Sequence, residues 1–394
     1  MAHSMKIRFV SLVCLCLTAL MGCRNSDVPA VESHAVQIIG YTNQQKLYHI
    51  KATPDGGYVV LSKKYQNGFE NVMVHKYGAE NQFQWLQSIG STTSAEYDPN
   101  IAVASDQSVL VGCITEGIGM DSLPSTQSKS FGVMLAKLDP SGSVLWERAF
   151  FFSTQNQGGT LLSIPYITED SEHNILMCAN TTYGERFQYG LFGMLLKISP
   201  EGRLQKTYLA KEGHHLQYVY DTLGRYVCFH QRNEKCGFYE FDKQDTGMFI
   251  KPITSSTILN PQAVTPMRPL LFHDDDLSAQ YLSVDQSVVR IAYDIDFRML
   301  NSKILDTQLD SIEFANVSLD NNYLMVSGNR LFETDHNFSI QNSFQNALWD
   351  INDGSVSDQM LCKLTDGDYV YGYQHNQVVY LYRMNHQGKM KLDE

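Results

Sequence analysis

The sequence is short of positive charge, of helical periodicity and of recognisable catalytic motifs. Only 18% of its 394 residues are charged, and Lys and Arg (30) are fewer than Asp and Glu (42), which gives a formal net charge of −12. This acidic balance argues against nucleic acid or an anionic membrane as a partner, and plain solubility is the simpler explanation of the charge itself. The apolar run Phe9–Met21 is too short to cross a membrane as a helix.

The usual signatures of enzyme chemistry are also missing. The sequence contains no nucleophile elbow, zinc-binding helix, phosphate-binding loop or repeated aspartate box of the sialidase kind. Five cysteines follow Cys23, and their spacing matches no zinc site: Cys113, Cys178, Cys228, Cys236 and Cys362. We expect them to pack as small apolar side chains, and a Cys228–Cys236 disulfide is the open alternative. The sequence predicts no cofactor and no metal site.

What the sequence does contain is a repeat with a period of about sixty residues. A lysine marks each of the first three copies: Lys76, Lys137 and Lys197. A turn glycine follows the lysine, although the match in the first copy is loose: Gly78, Gly142 and Gly202. A tryptophan recurs in two copies, and a polar residue stands near that place in the third: Trp85, Trp146 and Gln205. Asp and Pro before a glycine, between two apolar runs, are typical of a hairpin turn.

A second hairpin precedes each of these copies: Tyr48–Ser62, Asn100–Cys113 and Tyr166–Ala179. Weaker copies follow along the chain: Leu216–Asp242, Pro269–Leu305, Ile312–Ile340 and Met360–Leu392. Four strands per unit at this period predict an all-β fold, a β-propeller of seven four-stranded blades, with six or eight blades as alternatives. An outer strand at Ala35–Gly40 would complete the final blade, and the segment Gly388–Leu392 competes with it for that place.

The repeat is similar to those of two propeller groups. Lys137–Trp146 resembles the repeat of quinoprotein-type propellers, and with Pro54–Tyr58 as the first half it resembles the repeats of bacterial surface propellers. In those families the tryptophan docks one blade on the next, which implies a structural role for Trp85 and Trp146. The match is good in the first three copies and poor beyond them. The sequence offers no residues for the cofactor and calcium of the quinone enzymes, and the relatives include the non-enzymatic lipoprotein of the outer-membrane barrel-assembly machinery.

The N-terminus resembles a bacterial lipoprotein signal. Two basic residues, Lys6 and Arg8, precede the apolar run, and three residues match the lipobox: Leu20, Gly22 and Cys23. The resemblance implies that Cys23 becomes the lipidated, palmitate-bearing first residue, and Arg24 after it favours the outer membrane. An ordinary cleaved signal with a free Cys23 is the alternative. We therefore predict three segments: a signal peptide at 1–22, a flexible tether at 23–34 and a propeller domain at 35–394.

Function is less constrained than fold. The densest acidic cluster, His273–Asp276, is better explained as a solvated turn than as a calcium site, because it lacks the usual loop spacing. Asp294 and Asp296 could form a glycosidase-like carboxylate pair. The Gly- and Ser-containing segment Glu116–Ser130 is a candidate ligand-binding loop.

Our leading hypothesis is a non-catalytic, lipid-anchored propeller that serves as a binding or scaffold module in the cell envelope. Its partners would be an envelope protein or a glycan, together with the lipid bilayer through Cys23, and not nucleic acid. Two alternatives stay open. One is a carbohydrate-active enzyme with carboxylates near the ring axis, and the other is a scaffold of the barrel-assembly type.

Overall fold

The computed structural model describes these parts of the chain: 36–39, 45–66, 69–90, 95–117, 130–151, 160–183, 190–210, 215–222, 224–232, 235–243, 253–254, 265–266, 271–273, 276–282, 288–293, 299–305, 314–318, 322–327, 330–335, 339–345 and 356–389. The predicted signal peptide and tether lie outside the described residues. Within the described residues, no helix is long and apolar enough to cross a membrane.

The described strands pair into seven antiparallel sheets, which we number as blades 1 to 7 in chain order. Blade 1 contains, from one edge to the other, β2 (Gln45–Ala52), β3 (Tyr58–Gln66), β4 (Phe69–Tyr77) and β5 (Phe83–Ile89). Blade 2 contains β6 (Glu96–Val103), β7 (Val109–Gly117), β8 (Ser130–Leu138) and β9 (Val144–Phe151). Blade 3 contains β10 (Thr160–Glu169), β11 (Ile175–Tyr183), β12 (Gly190–Ile198) and β13 (Leu204–Leu209).

The later blades are less regular. Blade 4 contains β14 (His215–Thr222), β15 (Arg225–Arg232), β16 (Lys235–Asp242) and β17 (Ile253–Thr254). Blade 5 contains β18 (Thr265–Pro266), β20 (Asp276–Leu282), β21 (Val288–Tyr293) and β22 (Met299–Leu305), and β19 (Leu271–His273) also pairs with β20. Blade 6 contains β23 (Phe314–Val317), β24 (Tyr323–Ser327), β25 (Arg330–Thr334) and β26 (Ile340–Gln345). Blade 7 contains β27 (Val356–Lys363), β28 (Tyr369–His375), β29 (Val378–Met384) and β1 (Val36–Ile39).

Neighbouring blades bury their apolar side chains against each other. Val59 and Val74 of blade 1, for example, share one buried cluster with Val111 and Met134 of blade 2. Equivalent clusters lie between blades 2 and 3, 3 and 4, 6 and 7, and 7 and 1. The first strands lie innermost, because β2 contacts both β6 and β27 while β10 contacts β6 and β14. This is how small sheets that cannot bury both faces alone become stable in a propeller.

Blade 7 is completed by the N-terminal strand. β1 pairs antiparallel with β29, and Val36 lies opposite Tyr382 while Ile39 lies opposite Val379. Ile39 is buried in the cluster between blades 7 and 1. Of the two segments that compete for the outer edge of the last blade, the structure therefore selects the N-terminal one. The prediction of seven blades, with six or eight as alternatives, stays a prediction for the chain as a whole.

The connections between strands fall into two groups at opposite ends of the blades. Short connections join the first strand to the second and the third to the fourth: 53–57, 78–82, 104–108 and 139–143 in blades 1 and 2. We call this side the turn end. The opposite ends of the strands define what we call the loop end, where, for example, Gly117 of β7 pairs with Ser130 of β8. Residues 118–129 of the candidate ligand-binding loop lie outside the described residues.

The pairing corrects two details of the sequence interpretation. Gly142 and Gly202 have positive φ angles of 88° and 81°, and the equivalent turn position of blade 1 is Asn81, with φ of 63°, rather than Gly78. Asn tolerates this left-handed conformation better than other side chains do. The Cys228–Cys236 disulfide is also disfavoured, because Cys228 pairs with Tyr239 and Cys236 with Gln231. Their Cα atoms are three residues apart along the strands, roughly 10 Å, which is too far for a disulfide.

The apolar packing expected of the cysteines is present wherever the structure describes their side chains. Four are free and buried: Cys113, Cys178, Cys228 and Cys362. Burial holds the pKa of the Cys228 thiol well above its ordinary value, and it raises the pKa of Cys362 to about 12. The Cys228 and Cys362 thiols are therefore protonated at neutral pH and behave as small apolar side chains.

Candidate functional site

Two tryptophans connect successive blades at the turn end. The Trp85 indole N–H donates a hydrogen bond of 3.0 Å to the carbonyl oxygen of Pro140, and Trp146 donates one of 2.9 Å to Pro200. Each ring covers the glycine of the same turn. A methyl group on Gly142 would approach the Trp85 ring to 2.5 Å, and one on Gly202 would approach Trp146 to 2.9 Å. The fourth strands of blades 1 and 2 are thus each fixed to the next blade by packing and by a hydrogen bond.

The repeated lysine of the third strand forms an ion pair with the first turn of its own blade. The distances from the lysine Nζ to the carboxylate oxygen are as follows: 2.8 Å for Lys76 and Asp55, 2.8 Å for Lys137 and Asp106, and 3.0 Å for Lys197 and Glu172. In blade 7 the equivalent residue is Arg383, which binds Asp366 and Asp368. The lysine that defines the repeat in sequence therefore neutralises the acidic turns of the turn end.

The Asp106–Lys137 pair gives a prediction for pH dependence. Burial would raise the pKa of Asp106, but hydrogen bonds from Lys137 and Ser108 outweigh it and lower the pKa to about 2. A lowered pKa stabilises the fold above the ordinary carboxyl pKa of 3.8, and that stability disappears as the pH falls toward 2. We expect Lys137→Met to return the Asp106 pKa toward the ordinary value, as measured by NMR titration of the carboxyl carbon.

The matched control is Lys389→Met, which removes an exposed lysine of blade 7 and should leave the Asp106 titration unchanged. The side chain of Asp106 is 53% exposed, so solvent screening should keep the effect on unfolding small. An unaltered Asp106 pKa in Lys137→Met would show that the ion pair does not control this carboxyl group.

A buried carboxylate joins blades 6 and 7. Glu333 is 1% exposed and accepts hydrogen bonds from Asn342 at 2.9 Å, from the Tyr369 hydroxyl and from Lys363 at 2.6 Å. Asn322 donates a further one at 2.5 Å. Burial would raise the pKa of Glu333, but these hydrogen bonds outweigh it and hold the pKa below its ordinary value. The carboxylate is therefore charged and fully enclosed by donors, which is the arrangement of a structural group.

An aromatic and charged cluster lies at the loop end between blades 1 and 2. We call it the Tyr48–Tyr97 cluster, and it consists of Tyr48, Lys63, Tyr65, Glu70 and Tyr97. The Lys63 ammonium lies 5.2 Å from the centre of the Tyr97 ring and 5.8 Å from that of Tyr48, and it also pairs with Glu70. Tyr65, which lies opposite Glu70 in the sheet, is 48% exposed. Aromatic surface beside paired charges suits contact with a glycan or a protein.

Irregular inner strands contribute to this cluster, in which Tyr65 is the exposed aromatic residue and Lys63 is buried. Tyr48 occupies a register shift in β2, where the pairing moves from Leu47 to His49. Similar shifts occur in the first strands of blades 2, 3, 4 and 7. Such bulges re-aim side chains relative to a regular strand. In blade 2 the bulge carboxylate of Asp98 accepts a hydrogen bond of 2.8 Å from the backbone of Ile164 in blade 3.

None of the enzyme candidates forms a catalytic arrangement in the described part of the chain. The Ser62 hydroxyl oxygen lies 3.1 Å from His75 Nε2, which is the distance expected of a nucleophile and its base. Both side chains are buried, however, and burial lowers the pKa of His75 to about 4. No group of three His, Cys, Asp or Glu side chains among the described residues could hold a metal ion. Asp294 and Asp296 lie outside the described residues. His273 and Asp276 face each other across the β19–β20 hairpin, and the two residues between them are not among those described.

The sequence indicated the tryptophans but not the cluster. Trp85 and Trp146 stand directly opposite Lys76 and Lys137, which is why they recur at a fixed distance after the lysines. In blade 3 the residue at that register is Lys206. The members of the Tyr48–Tyr97 cluster come from four strands and do not recur in the other copies, so no periodic signal marks them.

No family model matches the sequence, and no curated protein is significantly similar to it. Solved structures are similar in fold. The WD40 domain of Neurospora crassa Pan2 has 11% sequence identity and a TM-score of 0.50, with 90% of this chain and 97% of that domain covered. A protein from Lactobacillus plantarum has 11% identity and a TM-score of 0.50, with 77% of this chain and 86% of that one covered. A protein of unknown function from Dyadobacter fermentans has 12% identity and a TM-score of 0.46 over 91% of this chain and all (100%) of that one.

These similarities and the sheet topology define the class of the protein. The chain is an all-β protein with a β-propeller fold, as the repeat predicted. Sequence identities this low concern the fold alone, because one propeller architecture carries many unrelated functions.

Proposed function

We propose that the protein is a lipid-anchored propeller of the cell envelope that binds a protein or glycan ligand at its loop end without chemical turnover. The lipoprotein-like signal at Leu20–Cys23 supports the anchor and the location. The Tyr48–Tyr97 cluster is the observation that carries the binding role, because it combines a half-exposed tyrosine with a cation held against two aromatic rings. The propeller fold is compatible with a binding or scaffold module.

The most informative experiment combines a glycan array with a pull-down from envelope extract of the producing organism, using the full mature chain. A saturable glycan signal or one reproducible protein partner is the expected result. Recovery of outer-membrane assembly proteins would identify the scaffold version of this function. Conversion of glycans to hydrolysed or oxidised products, without any stable partner, would overturn the proposal in favour of an enzyme.

A matched pair of variants tests the location of the site. Tyr65→Ala should weaken ligand binding about tenfold, because tyrosine is among the residues enriched at interface positions whose truncation costs more than about 1 kcal/mol. Leu86→Ala is the control, since Leu86 has the same exposure of 48% but lies on the outer strand β5, away from the cluster. Binding should be measured by calorimetry or surface plasmon resonance. Equal affinities for the two variants would place the ligand elsewhere on the propeller.

A further inference from the structure

Large apolar side chains are exposed at one recurring position of the propeller. Four outer strands begin with such a residue: Phe83, Val144, Leu204 and Ile340, in blades 1, 2, 3 and 6. Their exposed fractions are 53%, 40%, 39% and 46%. Each lies opposite the last residue of the third strand of its blade, so the four are equivalent in register and lie at the turn end. Leu145 follows Val144 in β9 and is 55% exposed.

We call these five residues the apolar rim: Phe83, Val144, Leu145, Leu204 and Ile340. Five of the eight large apolar side chains that are exposed in the described part of the chain belong to it, so the exposure is concentrated and not scattered. Single exposed apolar residues are normal on soluble proteins, whereas several at one edge of the fold can act together on a flat partner surface.

The N-terminal chain reaches the propeller at this same edge. β29 runs from the loop end to the turn end, and β1 pairs antiparallel with it from Val36 at the turn end to Ile39. The chain on the N-terminal side of Val36 therefore joins the propeller at the turn end of blade 7. Blade 7 contacts blade 6 on one side and blade 1 on the other, so this entry point lies between Ile340 and Phe83. The apolar rim is an arc over blades 6, 1, 2 and 3 with the entry point inside it.

The length of the preceding segment keeps this edge close to Cys23. Residues 24–35 separate Cys23 from β1. As a flexible chain they would span roughly 20 Å on average, and fully extended they would reach about 40 Å. A bilayer that holds an acyl chain on Cys23 would therefore lie within contact distance of the turn end. Lysines pair with Asp55 and Asp106 at that end, while Asp139 and Glu201 of the neighbouring turns stay charged, so the surface suits zwitterionic rather than anionic lipid.

We propose that the apolar rim rests on the lipid surface that carries the Cys23 anchor, so that the turn end faces the bilayer and the Tyr48–Tyr97 cluster faces away from it. This orientation rests on the lipid anchor of the proposed function. In this orientation the apolar rim adds weak interfacial contacts to the acyl chains on Cys23. Attachment to a membrane through acyl chains is stronger when a second contact accompanies the acyl chains.

Photo-crosslinking of the full lipidated protein in phosphatidylcholine nanodiscs tests this orientation. A benzophenone amino acid is placed at Leu145 or Phe83 in the rim, and at Tyr65 as the matched exposed position at the loop end. We expect about tenfold more lipid adduct from the rim positions than from Tyr65. Urea unfolding of each variant shows that the label leaves the fold intact. Vesicle flotation of the parent protein and of Cys23→Ser reports separately on the anchor.

The outcomes separate the two proposals. Flotation that depends on Cys23, with adducts at the rim and not at Tyr65, supports both. Flotation that depends on Cys23, with equal adducts at the three positions or none, overturns the orientation and leaves the anchor standing. Flotation that is lost altogether, or is unchanged by Cys23→Ser, removes the anchor and the orientation together. In cells, a discrete protein adduct at Leu145 in place of lipid would assign the rim to a protein partner and overturn the lipid contact.

Discussion

Replacing Glu333 by alanine should lower the free energy of unfolding by about 3–5 kcal/mol, because it breaks a buried ion pair and removes the shared acceptor of four donors in blades 6 and 7. The side chain of Lys363 is 16% exposed, and Glu333 is its partner at 2.6 Å. The Asn322 and Tyr369 donors lose the same acceptor. Since these groups belong to blades 6 and 7, the substitution weakens an interface as well as a single strand. Urea unfolding followed by fluorescence would measure the change.

Two further measurements make this expectation specific. Glu147→Ala removes an exposed carboxylate and should change the stability by no more than about 0.5 kcal/mol. The pH dependence supplies the second measurement. Because the pKa of Glu333 is lowered in the fold, its contribution is present above the ordinary carboxyl pKa of 4.5 and is lost as the pH falls through the lowered value. A Glu333→Ala protein with unchanged stability at pH 7 would contradict the role of this carboxylate as the link between the blades.

Trp146→Ala should lower the free energy of unfolding by about 3 kcal/mol. The ring packs on the turn of blade 3 over Gly202 and contributes to the cluster between blades 2 and 3, so its removal opens a gap that the rigid turn cannot fill. Trp146→Phe keeps most of this packing and loses the hydrogen bond to Pro200, so it should cost only about 1 kcal/mol. Denaturant midpoints of the two variants would separate packing from hydrogen bonding.

The control for this series is the neighbouring residue. Leu145 precedes Trp146 in the same strand and is 55% exposed, so Leu145→Ala should have little effect on stability. Equal losses for Leu145→Ala and Trp146→Ala would mean that the outer strand, and not the contact with blade 3, is what the tryptophan stabilises. The same comparison can be made with Trp85, whose ring covers Gly142.

The repeat was readable because the strands and turns follow local rules. Alternating apolar residues and turn glycines specify hairpins, and the short turns fix the register between them. A fixed register places Trp146 opposite Lys137, which turns a contact in space into a constant spacing in sequence. The resulting prediction of an all-β propeller is confirmed by the sheets and by the similar folds.

The electrostatic and binding features were not readable for the opposite reason. Glu333 contacts Lys363 and Tyr369 only when blades 6 and 7 pack together. No sequence pattern near Glu333 predicts these two partners. Asn81 replaces a glycine in the first turn, so a search for glycine alone selects the wrong residue. Tyr48 and Tyr97 belong to the first strands of adjacent blades, and their rings lie near the same Lys63 ammonium only because the blades pack together. Such contacts depend on three-dimensional packing and leave no periodic pattern.

The pairing of β1 with β29 sets the order in which the molecule can be assembled. Blade 1 is synthesised early, but its neighbour, blade 7, is complete only when nearly the whole chain has been synthesised. Until then the side of blade 1 that will meet blade 7 stays uncovered, and Tyr58 and Val60 on that side face solvent. A chain halted before residue 378 would lack β29, so β1 would have no strand to pair with, and Val379 and Leu381 would be missing from the cluster between blades 7 and 1.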